Sequence, residues 1–176
     1  LVVLDEAYMD FWDQSLIDEV EEYDNLILLK TCSKAFGMAG IRLGFAVANP
    51  LITNALRAVK SPYNVNSVTQ AIGTVVLREK ELLKSRINEL IGSRKELEKE
   101  LLALAGRYPV LRTVYPSVTN FVFIKTEKAR EISAALEQRS VAVRCFDGYL
   151  RITAGNREEN RVLIHELGEV LKEVSR

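Results

Sequence analysis

The sequence has 176 residues, 48% of them hydrophobic and 27% charged, and a formal net charge of zero. That length and apolar content can bury a core as one domain or as two small ones. The neutral balance gives no electrostatic basis for a nucleic-acid or membrane partner, and no segment approaches the length of a membrane span. No secretory signal is visible and no metal-ligand pattern is expected. Two cysteines, Cys32 and Cys145, far apart, point to a reducing, cytoplasmic setting rather than a disulfide framework.

The chain opens on "LVVLDEAY", whose continuous apolar run reads as a buried strand over residues 1–4 of an α/β sheet. Central strands seldom begin at a first residue, so residues upstream of Leu1 are expected. "NLILLKT" (25–31) and "LGFAVAN" (43–49) read as further strands, with "FWDQSLIDEVEEYD" as a helical or irregular crossover. "PLITNALRAVK" (50–60) has helical spacing behind a proline, and "SPYNVNS" (61–67) is a loop. In the long helix that follows, Leu83, Ile87, Leu90, Leu97, Leu101 and Leu104 recur at steps of four and three, with Arg94 filling the missing place. Arg94 and Gly92 interrupt a coiled-coil seam, which favours an amphipathic helix packed on its own domain.

Beyond "GRYPVLRTVYPS", "TNFVFIKT" reads as a strand and "KAREISAALEQR" as a helix. "VAVRCF" and "YLRITA" read as strands around a turn at Asp147-Gly148. Asn156 and Glu159 match a capping box, opening a helix that buries Leu163, Leu167, Val170, Leu171 and Val174. Residues 1–75 are thus expected to be part of a larger sheet, 76–105 a connecting helix, and 106–176 a small α+β domain.

"TCSKAFGMAGIRLGF" (31–45) carries the chemistry. Lys34 lies just past the end of a predicted strand, the edge of an open α/β sheet where ligands bind. A lysine there can bond covalently to a carbonyl carbon if its amine is neutral. Arg42 follows a "FGMAG" turn, and its fork suits a phosphate; Thr31 and Ser33 add hydroxyls. Together they fit a cofactor that carries both an aldehyde and a phosphate. Asp5 closes the first strand at the same edge. A buried carboxylate there needs a cation, and a pyridinium nitrogen would serve. Tyr8 can donate to a phenolate oxygen on such a ring.

"DEAY" followed by "TCSKAFGMAGIRLGF", together with "SPYNVNS", "TNFVFIK" and "YLRITAG", resembles the fold-type I pyridoxal-phosphate aminotransferases, above all the histidinol-phosphate group. The likeness covers essentially the whole chain but only the C-terminal half of the family's usual length. It implies an α/β fold: part of a mixed, mostly parallel large-domain sheet, a long connecting helix and a small α+β C-terminal domain. It implies that Lys34 bonds the pyridoxal 5'-phosphate cofactor and shuttles protons. Asp5 would pair with the ring nitrogen, Tyr8 with the ring oxygen, and Thr31, Ser33 and Arg42 with the phosphate. Arg151 matches the arginine that grips the substrate's anionic group, and Arg144 matches a second one. The implied reaction exchanges amines between a small-molecule donor and a keto acceptor, glutamate and imidazole-acetol phosphate in histidine biosynthesis. The implied working form is a cytoplasmic homodimer of the full-length protein, without nucleic-acid or membrane partners.

Alternatives stand beside this reading. The same cofactor would serve a threonine-phosphate decarboxylase or an aromatic aminotransferase. The chain alone, lacking upstream segments, is expected to be inactive and can instead be a non-catalytic fragment that self-associates through open sheet edges. Residue by residue, Asp5 can cap a turn, Tyr8 can be core, Thr31 can end a strand, and Arg151 can sit in a surface salt bridge. Cys32 is expected to be filler, His165 solvated, and Asn64 and Asn66 turn residues.

Overall fold

The computed structural model describes residues 1–175. They divide into two compact units, one spanning Leu1–Ile87 and the other running from Asn88 onward.

In the first unit, β1 (Val2–Asp5), β2 (Leu26–Thr31) and β3 (Gly44–Ala48) form a sheet in the order β1-β2-β3. β1 and β2 are parallel, with Asp5 opposite Leu29; β2 and β3 are antiparallel, with Thr31 opposite Gly44. Leu26 and Leu28 of β2 pack with Val20 to make this unit's core cluster. The crossover between β1 and β2 is irregular apart from single 3-10 turns at Met9–Phe11 and Val20–Glu22. Helix α1 (Pro50–Val59) starts behind Asn49, whose side chain accepts the Ile52 N–H, with proline in its first turn. Asn66 likewise caps α2 (Ser67–Arg78) by accepting the Thr69 N–H.

The connecting helix expected over residues 76–105 is interrupted near its start and begins only at Lys80. α2 closes at Glu79, whose backbone leaves helical geometry, and α3 (Lys80–Arg107) begins anew. In α3, Leu97, Leu101 and Leu104 are buried in the core of the second unit, as a helix packed on its own domain requires. Arg94 is buried with them. Its guanidinium pairs with Glu98 at 2.8 Å one turn on, so its stem fills the apolar stripe while its charge stays compensated.

The second unit folds β4 (Thr113–Tyr115), β5 (Phe121–Lys125), β6 (Arg144–Phe146) and β7 (Tyr149–Thr153) into an antiparallel sheet ordered β4-β5-β7-β6. α4 (Ala129–Gln138) and α5 (Arg157–Val174) complete it. Alternate residues of the central strands, Val122, Ile124, Leu150 and Ile152, are fully buried against Leu97, Leu101, Ile132, Leu136 and Leu167. β4 lies in the stretch "GRYPVLRTVYPS", where the sequence marks no element, since a three-residue edge strand is too short to show alternation. Gly148 turns the β6–β7 hairpin at φ 75°, where only glycine is free of strain. The Asn156–Glu159 capping box is formed in both directions, at 2.9 and 2.7 Å. Leu163, Leu167, Val170 and Leu171 are buried, Val174 packs at the margin of the core, and His165 is exposed.

Candidate active site

The strand pairings bring several chemically active residues to one edge of the three-stranded sheet. Because β1 and β2 are parallel, Asp5 and the segment leaving Thr31 emerge on the same side. Because β3 returns antiparallel, Arg42 and Leu43 enter from that side too. The ladder continues past the strand ends: the Glu6 N–H donates to the Leu29 carbonyl at 2.9 Å, and the Cys32 N–H to the Leu43 carbonyl at 3.0 Å.

Between those strands the chain folds back on itself. The Met38 N–H donates to the Cys32 carbonyl at 2.9 Å and the Gly37 N–H to the Lys34 carbonyl at 3.1 Å. Thr31 Oγ1 accepts the Ser33 N–H at 3.1 Å. Cys32, Ala35 and Leu43 are buried beneath this loop, leaving Lys34 and Arg42 exposed above. Burial, with the negative Asp10 nearby, pushes the Cys32 thiol up, so it stays protonated filler. The loop is tied to α2 by the Thr69 hydroxyl, which donates to the Ile41 carbonyl at 2.8 Å, while Asn66 donates to that same hydroxyl oxygen at 3.1 Å. Asn66 is thus a structural cap.

Lys34 Nζ stands 5.6 Å from the centre of the Tyr8 ring, within cation–π range. Tyr8 in turn lies on Phe11, a buried residue, with ring centroids 6.5 Å apart. Asp5 Oδ1 accepts the Ala7 N–H at 2.9 Å. Asp5 is exposed, where the sequence suggests a buried carboxylate: β1 stands at the edge of the three-stranded sheet, and no strand among the described residues pairs with its outer side. Arg42 adopts the left-handed conformation, φ 55°, and its guanidinium donates to the Ala39 carbonyl at 2.9 Å. A non-glycine residue at such a φ stores roughly 1–2 kcal/mol of strain.

Beneath this edge lies a group that the sequence reading passed over. Glu6 is fully buried. Its carboxylate accepts the Ser15 hydroxyl at 2.6 Å and the Leu16 N–H at 2.8 Å, and Lys30 Nζ approaches at 3.4 Å. Burial pushes its carboxyl up, but those three partners together outweigh it and hold Glu6 below its ordinary value. With the folded value lowered, this stabilisation is present above the ordinary carboxylate range and is lost as pH falls through the folded value. Lys30 also pairs with Asp10 at 3.0 Å.

Arg144 and Arg151 lie in the second unit, directly opposite one another on β6 and β7. Opposed residues share a face, so two like charges stand side by side, an arrangement that is destabilising by itself. Arg151 Cζ lies 5.1 Å from the Phe121 ring centre, and Arg144 Cζ lies 5.6 Å from that of Phe146. Phe123 and Tyr149 stack beside them on the same face, 5.1 Å apart. Arg151 Nε is buried without a hydrogen-bond partner, and neither arginine has a carboxylate partner among the described residues. The surface salt bridge considered for Arg151 is therefore absent among those residues.

Residues 1–167 match the family described as aminotransferase class I and II. A histidinol-phosphate aminotransferase of Thermoanaerobacter sp. (strain X514) is 46% identical over 97% of this chain and 49% of its own length. The histidinol-phosphate aminotransferase of Clostridium acetobutylicum superposes with a TM-score of 0.86 at 21% identity, over 97% of this chain and 54% of the other. That of Sinorhizobium meliloti, solved in complex with pyridoxal-5'-phosphate, does so at 0.79 and 23% identity, over 99% and 49%. The chain thus spans about half the length of the curated relatives it matches. These last two likenesses describe the fold, α/β with a mixed sheet, as the strand pairings here also describe it. With the family match running through both units, from the sheet edge of Lys34 to the strand of Arg151, the chain belongs to the class I and II aminotransferases.

Proposed function

We propose that this chain is the C-terminal part of a pyridoxal-phosphate-dependent aminotransferase acting on histidinol phosphate and imidazole-acetol phosphate, with glutamate and 2-oxoglutarate as the other pair. In that reading residues 1–75 belong to the large cofactor-binding domain, 76–105 to a connecting helix and 106–176 to the small domain. The observation that carries the reading is the convergence at one sheet edge of Asp5, Tyr8, Lys34 and Arg42, with the Lys34 amine 5.6 Å from the Tyr8 ring centre.

The donor set fits the cofactor. Its phosphate needs cations and hydroxyls, which Arg42, Thr31 and Ser33 supply. Its ring nitrogen needs an anion to stay protonated, which Asp5 supplies. Its ring oxygen needs a donor, which the Tyr8 hydroxyl supplies. When bound, the cofactor supplies an aldehyde carbon that carries the amino group and a ring that withdraws electrons. Lys34 Nζ would be the amine that holds the cofactor at that carbon, and, once free, the base that carries a proton at the substrate's reacting carbon.

Arg151 grips the substrate's anionic group, with Arg144 as a second cation. Two guanidinium groups set opposite each other, neither with a carboxylate partner among the described residues, support that role, because a phosphate or carboxylate between them would relieve their repulsion. Arg151→Lys keeps the charge but loses the fork. It is expected to raise KM for the phosphorylated substrate about tenfold, one charged hydrogen bond's worth, with cofactor affinity unchanged. Steady-state kinetics beside a cofactor titration check this; an unchanged KM makes Arg151 structural.

We infer that the full-length protein works as a cytoplasmic homodimer, which light scattering checks for the assembly. The reading as a whole is tested by adding pyridoxal phosphate and screening amino donors and acceptors. The full-length protein should gain visible absorbance and transfer the amino group of glutamate to imidazole-acetol phosphate. The 176-residue chain alone, with Lys34, Asp5 and Arg42 exposed, should bind weakly and turn nothing over. A decarboxylated product from a phosphorylated amino acid would move the assignment to the decarboxylases.

A further inference from the structure

Glu6, Lys30 and Asp10 form a buried ionic cluster that none of the roles above uses. The register puts it directly beneath the site. Asp5 opposes Leu29, so the next pair is Glu6 with Lys30, and alternation turns both side chains to the face opposite Asp5. On that face Lys30 Nζ reaches Glu6 Oε2 at 3.4 Å and Asp10 Oδ1 at 3.0 Å, with all three side chains largely or fully buried. Those carboxylates flank the segment that holds Tyr8, one before it and one after. Lys30 therefore staples the turn carrying Asp5 and Tyr8 to the strand that leads into Lys34. Ser15 at 2.6 Å and the Leu16 N–H at 2.8 Å hold Glu6 from the crossover side. The exposed upper groups have few ties of their own: Asp5 accepts the Ala7 N–H, and Lys34 lies over the Tyr8 ring. Their aim is thus set from below.

We propose that Glu6 is a positioning residue, which through Lys30 fixes the turn that presents Asp5 to the cofactor's ring nitrogen. This rests on the cofactor reading above. A carboxylate held by several bonds within a packed layer fixes the backbone on which its neighbour rides. A shift of that backbone by a fraction of an ångström is enough to spoil a charged hydrogen bond. Glu6→Gln keeps the shape but removes the charge and turns an N–H group toward Lys30 or Ser15.

The test is a double-mutant cycle in the full-length protein. Pyridoxal phosphate is titrated into ligand-free wild type, Glu6→Gln, Asp5→Asn and the double variant, and the melting temperature of each ligand-free protein is recorded. Glu6→Gln is expected to weaken cofactor binding about tenfold where Asp5 is present and to add no loss where Asp5 is already asparagine. An equal loss on both backgrounds overturns the positioning role and makes Glu6 a stability residue. An Asp5→Asn variant that binds as wild type does overturns it as well. Failure of wild type itself to bind overturns the cofactor reading and this inference together, a result distinct from the other two. Should Glu6→Gln not fold, Ser15→Ala removes one of the bonds to Glu6 and must show the same dependence on Asp5, with a smaller loss; an equal loss on both backgrounds again overturns the proposal.

Discussion

Replacing Lys34 by alanine in the full-length protein is expected to abolish amine exchange while leaving the fold standing. The amine is assigned both the covalent bond to the cofactor and the proton transfer. Loss of the second role alone removes roughly 100- to 10,000-fold in rate. Stability should barely change. Lys34 is exposed, the carbonyl that accepts the Gly37 N–H survives the substitution, and the contact with Tyr8 is an exposed cation–π pair worth about 0.5–1 kcal/mol. Lys34→Arg should not rescue activity, because a guanidinium stays protonated and cannot attack an aldehyde. Turnover is compared in the three proteins beside their melting temperatures. Near-normal rates in the alanine variant would remove Lys34 from the chemistry.

Truncating Ile152 to alanine should produce the largest loss of stability. Ile152 is fully buried in β7, opposite Val122 of β5, within the core that Leu97, Leu101 and Leu167 complete. Cutting a buried isoleucine to alanine costs about 2–5 kcal/mol in lost transfer energy and residual cavity. Whole domains hold only about 5–15 kcal/mol, so a large share of the second unit's stability is at stake. The consequence extends to function because Arg151 precedes Ile152 on the same strand and faces the other way. A loosened β7 blurs the register that sets Arg151 against Arg144. Denaturant titration measures the effect; a loss under 1 kcal/mol would mean that the cavity collapses and this core is less tightly packed than its burial indicates.

What the sequence discloses and what it hides divide along the range of the interactions. The Asp147-Gly148 turn and the Asn156–Glu159 cap are local, written in residues within a few positions of each other, and both form. Lys34 at a strand end is readable because the apolar run of β2 gives way to Lys30 and Thr31. Glu6 was not readable. Its partners Ser15 and Lys30 come from 9 and 24 residues away, and only the folded register brings them beneath the carboxylate. Arg94 looked like an interruption in an apolar stripe, yet Glu98 lets it turn inward. The break at Glu79 is marked by neither proline nor glycine, so residue types alone would run the helix through it. Asp5 is exposed here because β1 stands at the edge of the three strands described, and the larger sheet expected around it lies in no local pattern of residue types.

The most direct measurement of the central claim is chemical trapping of the cofactor. The full-length protein is incubated with pyridoxal phosphate, reduced with borohydride, digested, and the modified peptide is located by mass spectrometry. The account predicts a single phosphopyridoxyl group on Lys34, in the peptide that ends at Arg42, formed without added substrate and absent from Lys34→Ala. Modification spread over surface lysines, or concentrated on Lys30 or another lysine, would contradict it.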